Sequence, residues 1–287
     1  MSDGGSPVIR YGKPETALAV AFLIVVTVAF AFPIVWSTLS SFKSTASIAA
    51  TRYPLSLWSF VPPSPTFENY GYLFGPLGFQ GNLANTLIVS VCQVTLAVIV
   101  STLAGYAFGR LRFPGRDLLF ALVLASTFAP LEIILVPLYQ VVSGLGLTST
   151  YPAIFLPFIC QPFGIFLMRQ SFAQIPDELH EAAHIDGATT WQHFWTIALP
   201  NVRPALATLV LIQFIWSWNV YMWPLVIMQN PSRQIAQVTL ASMRSSQNFP
   251  MDGPIFAGIT VMTIPLVVLA IALQKYYVRG LMTSGLK

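Results

Sequence analysis

Charged residues are scarce in this sequence: Asp, Glu, Lys and Arg together make up only 8% of its 287 residues. A soluble domain usually carries about a quarter. The chain is 55% hydrophobic, and its mean hydropathy is +0.69. Such a composition is typical of a chain surrounded by lipid. It argues against a soluble globular domain and for a polytopic membrane protein.

Cysteine is nearly absent, and the few cations form no basic stripe. Cys92 and Cys160 both lie in apolar runs far from any partner motif, so we interpret them as small buried hydrophobic residues. This excludes a disulfide framework. The net charge of +4 comes from scattered residues, which argues against a nucleic-acid partner. In a membrane chain, an excess of Lys and Arg reports on topology instead.

Six stretches with little or no charge are long enough, at about 20 residues, to cross the hydrocarbon as helices. We place them at residues 17–36, 85–108, 118–142, 151–168, 205–228 and 255–273. The first is longer than the apolar part of a signal peptide, so we expect it to be retained. The third is interrupted by Pro130, Glu132 and Pro137. The sequence predicts an all-α fold with six transmembrane helices.

The loop charges predict the orientation. With both termini inside, the cytoplasmic segments hold ten cations: Arg10, Lys13, Arg110, Arg112, Arg116, Arg169, Arg203, Lys275, Arg279 and Lys287. The outer segments hold four: Lys43, Arg52, Arg233 and Arg244. This is a positive-inside bias. We therefore predict a cytoplasmic tail over residues 1–16, a membrane domain over 17–287, and a Pro-rich outer loop over 43–81 with little helix.

The longest cytoplasmic loop, about residues 170–202, contains the densest local signals. Pro176 suits the first position of a short helix, and Gly187 suits the left-handed residue just past its end. Thr189 and Gln192 have the capping-box spacing that begins a second helix, which we expect Pro200 to end. Helices of about ten residues are unstable alone in water. This two-helix loop therefore needs a partner surface.

The same loop carries a motif with fixed spacing. Glu181-Ala182-Ala183 is followed by three residues, Gly187, nine further residues and Ile197-x-Leu199-Pro200. This resembles the EAA signature of ABC importer permeases at every spacing, and most closely the carbohydrate-uptake subclass with the maltose-type second permease. Trp216–Pro224 and Val278–Lys287 add to the likeness, which extends from about the second span to the C-terminus. One sequence difference is Val220, where many members carry an acidic residue.

The resemblance implies that this loop is a coupling helix docking on a cytoplasmic ATPase. The candidate ATPase-coupling residues are Glu181, Ala182, Ala183, Asp186, Gly187, Trp191 and Pro200. It implies as partners a homologous second permease, two ATPase subunits and an extracytoplasmic solute-binding protein, in a bacterial or archaeal inner membrane. The binding protein is expected to contact the outer loop at residues 229–254. The chain has no Walker A pattern, so we expect no cofactor in it, with ATP and Mg²⁺ bound by the ATPase.

Solute contacts in transporters lie near the midplane, where helices are broken. Glu132 is a candidate because an intramembrane carboxylate must face a cavity or a partner. Gln213, Trp216, Asn219 and Trp223 are the others, since aromatic rings beside amides suit a sugar, and we expect the last three to share one face. An aromatic belt at the membrane interface explains the tryptophans equally well.

Two other classes remain open. His180-Glu181-Ala182-Ala183-His184 is formally an HExxH zinc-protease pattern. However, no Glu follows Glu181, and Asp186 is too close to His184 to serve as a third ligand. We therefore expect His180 and His184 on the solvated side of the helix. The second class is a secondary transporter, which usually needs a relay of ionisable groups, whereas Glu132 is the one carboxylate within the predicted spans.

Overall fold

The computed structural model describes residues 13–51, 53–54, 56–245 and 252–284, and within them it contains helices and no β-strand. The helices are α1 (Lys13–Ser41), α2 (Thr45–Ala50), α3 (Glu68–Phe74), α4 (Phe79–Arg110), α5 (Arg116–Ala125), α6 (Leu131–Gly144), α7 (Tyr151–Phe155), α8 (Pro162–Ala173), α9 (Asp177–Ile185), α10 (Thr190–His193), α11 (Leu199–Asn201), α12 (Arg203–Asn219), α13 (Met222–Ile227), α14 (Ala236–Ser245) and α15 (Asp252–Ser284). The predicted all-α fold is confirmed. Most of the predicted tail, residues 1–16, lies outside the described residues.

Three straight helices are long and apolar enough to cross a membrane: Thr16–Ser41 of α1, all of α4, and Asp252–Gln274 of α15. Three further spans contain a bend. The helical segments 116–128 and 131–144 meet at 106°, 151–158 and 162–173 at 46°, and 190–201 and 203–219 at 77°. In the last pair we assign the crossing to α12, because the segment before it belongs to the loop described below. Six spans result, as predicted.

The sharpest bend follows from Pro130. A short 3₁₀ turn over Ser126–Phe128 follows α5, and Pro130, in an extended conformation, is the N-cap of α6. Proline has no N–H to donate to the preceding turn and disfavours the helical conformation of the residue before it; here Ala129 is extended, so the helix is interrupted. Pro137 lies inside α6 without ending it. The third predicted span is therefore two helices with Glu132 in the first turn of the second.

One expectation about the spans, one about the outer loop and one about the cysteines are wrong. The fifth span does not run to residue 228 as one helix, because α12 ends at Asn219 and Val220 is extended before α13 begins. The outer loop is not poor in helix, since α2 and α3 form within it. Ser44 caps α2 by accepting a hydrogen bond from the Ser47 amide at 3.2 Å. Cys160 is exposed, although Cys92 is partly buried.

The described residues divide into two compact units, and the first comprises those that fall within 1–73 and 247–261. Lys43 is buried in this unit, two residues after the end of α1 at Ser41. The Lys43 ammonium donates to the carbonyls of Trp58 and Ser59, each at 2.7 Å. Asn69 donates to the carbonyls of Ser41 and Lys43 at 2.8 and 2.7 Å. Burial lowers the pKa of Lys43, so these acceptors are needed to hold the charged form.

Replacing Lys43 with methionine should loosen the 57–59 turn of this unit. The side-chain volume is nearly kept, but the Trp58 carbonyl loses its ammonium donor and the Ser59 carbonyl keeps only the Trp36 indole N–H at 3.1 Å. We expect a cost of about 1–3 kcal/mol. We expect faster proteolysis near Trp58 and a lower thermal midpoint for the purified chain in nanodiscs. Glu68→Gln is the control, because it removes an exposed charge from the same unit. Equal behaviour of the two variants would contradict this role for Lys43.

The second unit comprises the described residues within 74–246 and 262–287 and is built around α4, which packs against α8 and α12. Small residues allow the close approach. A Cβ added at Gly105 would overlap Met168, and one at Gly164 would lie 2.5 Å from the Ser101 hydroxyl. The first part of α4 also anchors a distant segment, since Asn85 donates to the carbonyls of Ser232 and Gln234, each at 3.0 Å.

Candidate coupling loop

The first helix of the 170–202 loop, α9, ends as predicted. Gly187 has φ of +74° and follows the C-cap Asp186. The Gly187 amide donates to the His184 carbonyl at 3.1 Å, and the Ala188 amide to the Ala183 carbonyl at 2.9 Å. This pair of hydrogen bonds defines a Schellman motif, in which glycine adopts the left-handed conformation without a Cβ penalty. The turn between the two helices is thus determined locally.

The second helix also begins as predicted. The Gln192 amide donates to Thr189 Oγ1 at 3.2 Å, and the Thr189 amide donates to Gln192 Oε1 at 2.8 Å, which forms a capping box. Its end was predicted wrongly. A π-helical turn over Phe194–Ala198 leads into α11, which contains Pro200 in its first turn and ends at Asn201, with Val202 as the C-cap. The first turn of a helix tolerates proline, because its N–H would have no partner within the helix.

The inner side of the loop packs on the spans. Phe194 and Ala198 are buried with Phe172 of α8 and Tyr106 of α4 in one apolar cluster. The Tyr106 ring contacts Phe172 and Phe194 edge-on, with centroids 5.4 and 5.0 Å apart. Aromatic pairs of this kind stabilise beyond their buried area. The π turn that follows α10 is therefore packed directly on α4 and α8.

Arg110, the last residue of α4, joins the loop to two spans. Its Nε donates to the Phe172 carbonyl at 2.8 Å, one Nη donates to the Ile175 carbonyl, and the other pairs with Asp177 at 2.6 Å. The Arg110 side chain is 7% exposed, whereas Asp177 is 83% exposed. Sequence reasoning missed this role. Its signal was a cation at the end of one span and an acid in the first turn of α9.

The histidines are arranged differently from the expectation. His184 is exposed as predicted, but His180 is only partly exposed and faces His193, which is 4% exposed. Burial, the neighbouring His180 and the Arg110 guanidinium lower the pKa of His193. Among the described residues no group of three His, Cys, Asp or Glu side chains is close enough to hold a metal ion.

The outer side of the loop is open. Glu181, Ala182, Asp186 and Gly187 are exposed, as is Trp191, which stacks on Phe194 with centroids 5.4 Å apart. A large, rigid aromatic side chain on an exposed turn is typical of a docking surface. Two of the predicted ATPase-coupling residues are not exposed. Ala183 is buried, and Pro200 is partly buried.

The predicted pathway residues are dispersed. Trp216 and Asn219 are exposed on α12, and Glu132 is exposed at the bend before α6. Gln213 and Trp223, at 3% and 0% exposed, lie in the chain's own core, where Trp223 Nε1 donates to the Ala153 carbonyl at 2.9 Å. The expectation that Trp223 shares a face with Trp216 and Asn219 is wrong, because the helix breaks at Val220.

Comparison with known proteins shows which family the chain resembles. Residues 97–283 match the family described as binding-protein-dependent transport system inner membrane component. Among curated proteins, the chain is similar to the arabinooligosaccharides transport system permease protein AraQ of Halalkalibacterium halodurans, with 32% identity covering 96% of this chain and 99% of the relative. It is similar to the diacetylchitobiose uptake system permease protein NgcG of Streptomyces coelicolor, with 30% identity over 90% and 85%. The sn-glycerol-3-phosphate transport system permease protein UgpE of Yersinia pestis shares 36% identity over 73% and 74%.

A solved structure agrees with these relatives. A chain of a bacterial ABC transporter involved in the import of the acidic polysaccharide alginate superposes with a TM-score of 0.78 and 25% identity, covering 95% of this chain and all of that one. The chain therefore belongs to the family of binding-protein-dependent transport system inner membrane components, and it is a membrane-spanning permease subunit of an ABC importer.

Proposed function

We propose that the exposed side of the coupling loop binds a cytoplasmic ATPase subunit, and that the chain works with a second, homologous permease and two such ATPases. This proposal rests on the difference between the two sides of the loop. Its inner side is packed on α4 and α8, while its outer side exposes Glu181, Ala182 and Trp191. A body that is rigidly attached on one side and exposed on the other suits the transmission of ATPase closure to the spans.

The orientation follows from the charges. With both termini and the coupling loop assigned to one side of the membrane, ten cations are expected on that side and four on the other, and this bias favours the cytoplasm for the first side. ATP and Mg²⁺ then bind to the ATPase subunits, and this chain carries no cofactor. The opposite face receives solute from an extracytoplasmic binding protein, with residues 229–254 as the expected contact. Residues 246–251 of that segment lie outside the described residues.

The solute is a sugar or sugar-like molecule. The names of similar permeases refer to arabinooligosaccharides, diacetylchitobiose and sn-glycerol-3-phosphate, and this range supports a hydroxyl-rich cargo. Trp216 and Asn219 offer an aromatic face and an amide for such a molecule, and Glu132 offers a carboxylate at the break between α5 and α6. These three residues line the proposed pathway. Gln213 and Trp223 support it from within the core.

Gly187→Trp tests the docking surface, and Gly115→Trp is its matched control. Both glycines have positive φ, +74° and +78°, and no atom lies within 4 Å of an added Cβ at either position. The backbone cost, about 1–2 kcal/mol, is therefore shared. We expect Gly187→Trp to lower binding-protein-stimulated ATPase and uptake by about tenfold or more, which is roughly 1.4 kcal/mol of misfit in a packed interface. The measurement is made on the complete importer in proteoliposomes.

Co-purification separates the alternatives. A second permease and an ATPase that co-purify with the native chain, and are lost from Gly187→Trp but kept by Gly115→Trp, support the proposal. Uptake driven by an ion gradient without an ATPase would indicate a secondary transporter. A chain that purifies alone with one bound zinc, released by His184→Ala, would indicate the protease. Full activity of Gly187→Trp combined with Glu181→Lys would also overturn the proposal.

A further inference from the structure

The buried imidazole of His193 lies between the two helices of the coupling loop and the span that supports them. Its Nδ1 is 2.8 Å from the Tyr106 hydroxyl of α4, and its Nε2 is 3.3 Å from His180 Nδ1 of α9. The imidazole rings of His180 and His193 lie edge to face, with centroids 4.6 Å apart. The Tyr106 hydroxyl is also 3.4 Å from the Thr190 carbonyl, to which it donates when His193 Nδ1 carries the imidazole proton. One side chain thus connects α4, α9 and α10.

The contacts from Tyr106 through His193 to His180 require a neutral imidazole. In a neutral imidazole one nitrogen donates and the other accepts, so His193 can accept from Tyr106 and donate to His180, or the reverse. If both histidines are protonated, two N–H groups face each other across 3.3 Å with no acceptor between them. Two cations then lie side by side next to Arg110, and like charges at this distance disfavour each other.

Other charged groups around the pair do not remove this conflict. His180 and His193 line a cleft of about 600 Å³ together with Arg110, Arg112, Arg116 and His184, opposite Asp177 and Glu181. Asp177 is engaged by Arg110 at 2.6 Å. Arg116 is paired with Asp117 at 3.0 Å. Acidification therefore adds positive charge to the histidine pair beside the Arg110 guanidinium, which already lowers the pKa of His193.

We propose that Tyr106, His193 and His180 are positioning residues that hold both coupling helices on α4, and that protonation of the two histidines releases α9 from α10. The proposal rests on the coupling role assigned above. All three histidines of the chain, His180, His184 and His193, lie in this loop. Histidine is the side chain whose ordinary pKa brings a charge change between pH 5 and 8. Because burial, the neighbouring His180 and the Arg110 guanidinium lower the pKa of His193, coupling by this permease is retained at neutral pH and decreases on acidification.

His180→Asn tests the proton dependence, because Asn places an amide near the position of Nδ1 and does not titrate. In the complete importer, stimulated ATPase of the native chain should fall about fivefold more between pH 7.5 and 5.5 than that of His180→Asn, the factor expected for one hydrogen bond. His184→Asn, on the same helix and exposed, should keep the native profile. Identical profiles for the native chain and His180→Asn, or equal flattening by His184→Asn, would overturn the proposal.

A second readout does not depend on the ATPase. Hydrogen exchange of the α10 amides in the permease chain in nanodiscs should speed up on acidification, beyond the intrinsic pH effect, in the native chain but not in His180→Asn. Tyr106→Phe, which keeps the ring and removes the hydroxyl, should show fast exchange at both pH values. If the pH-dependent protection appears and no ATPase associates, the proposed function fails while this inference holds. Unchanged protection in all variants would contradict the inference itself.

Discussion

Gly105→Ala is expected to destabilise the permease strongly, although it adds only one methyl group. A Cβ at this position would overlap Met168 Cβ and lie 2.9 Å from the Arg169 amide nitrogen. Part of this obstacle is the backbone of α8, which cannot rotate away, so α4 and α8 must separate along their contact. Overpacking of this kind costs about 1–3 kcal/mol. The measurement is the thermal midpoint of the purified chain, followed by size-exclusion chromatography after heating.

Two other glycines of α4 provide a graded control. A Cβ at Gly109 would lie 3.1 Å from the Arg169 carbonyl oxygen, and at Gly81 it would meet nothing within 4 Å. We expect the thermal midpoint to be highest for Gly81→Ala, lower for Gly109→Ala and lowest for Gly105→Ala. Gly81→Ala should raise the midpoint slightly, because alanine is favoured over glycine in a helix by about 0.5–1 kcal/mol. A Gly105→Ala chain as stable as Gly81→Ala would show that α4 and α8 are not packed this closely.

The second large effect is expected for Arg110→Met, which should abolish uptake without removing the chain from the membrane. Its guanidinium satisfies the carbonyls of Phe172 and Ile175 and pairs with Asp177. The Phe172 carbonyl still accepts from the Ile175 amide at 3.2 Å, but the Ile175 carbonyl is left without its donor, which costs about 1–3 kcal/mol. The segment between α8 and α9 then loses its attachment to α4. We expect uptake to drop to background, with the spans intact.

Arg112→Met is the matched control for Arg110→Met. Both substitutions remove one cation from the same end of α4, so any effect on positive-inside topology is shared. Arg112 is exposed, and no hydrogen bond or ion pair is seen for its side chain among the described residues. Arg112→Met should therefore keep most uptake. Loss of uptake in both variants to the same extent would indicate that charge, and not the contacts of Arg110, determines the effect.

The coupling loop was predictable because its signals are local. The capping box joins residues three apart, and the Schellman hydrogen bonds join residues three and five apart. Such bonds depend on residues that are close in the sequence. The sequence pattern alone therefore located the end of α9 and the start of α10, on either side of Gly187. The exception was Pro200, because a π turn leads into α11 in a way that the residue types do not announce.

The pathway residues were less predictable. Trp216 and Trp223 look alike in the sequence, yet one is exposed and the other is buried on Ala153. In a spanning helix the faces toward lipid and toward protein are both apolar, so apolar periodicity does not distinguish them. The bend after Phe128 was suggested by Pro130, but its angle of 106° depends on what α5 and α6 pack against.

The sequence by itself determined that this chain spans a membrane six times, and that one loop carries two short helices separated by a glycine. Hydropathy and helix caps depend on neighbours within a turn or on the length of an apolar run. Only the tertiary structure decided what that loop rests on. Arg110 meets Asp177 across 67 residues, and Tyr106 meets His193 across 87. Contacts at such separations depend on how the helices pack, which local pattern does not specify.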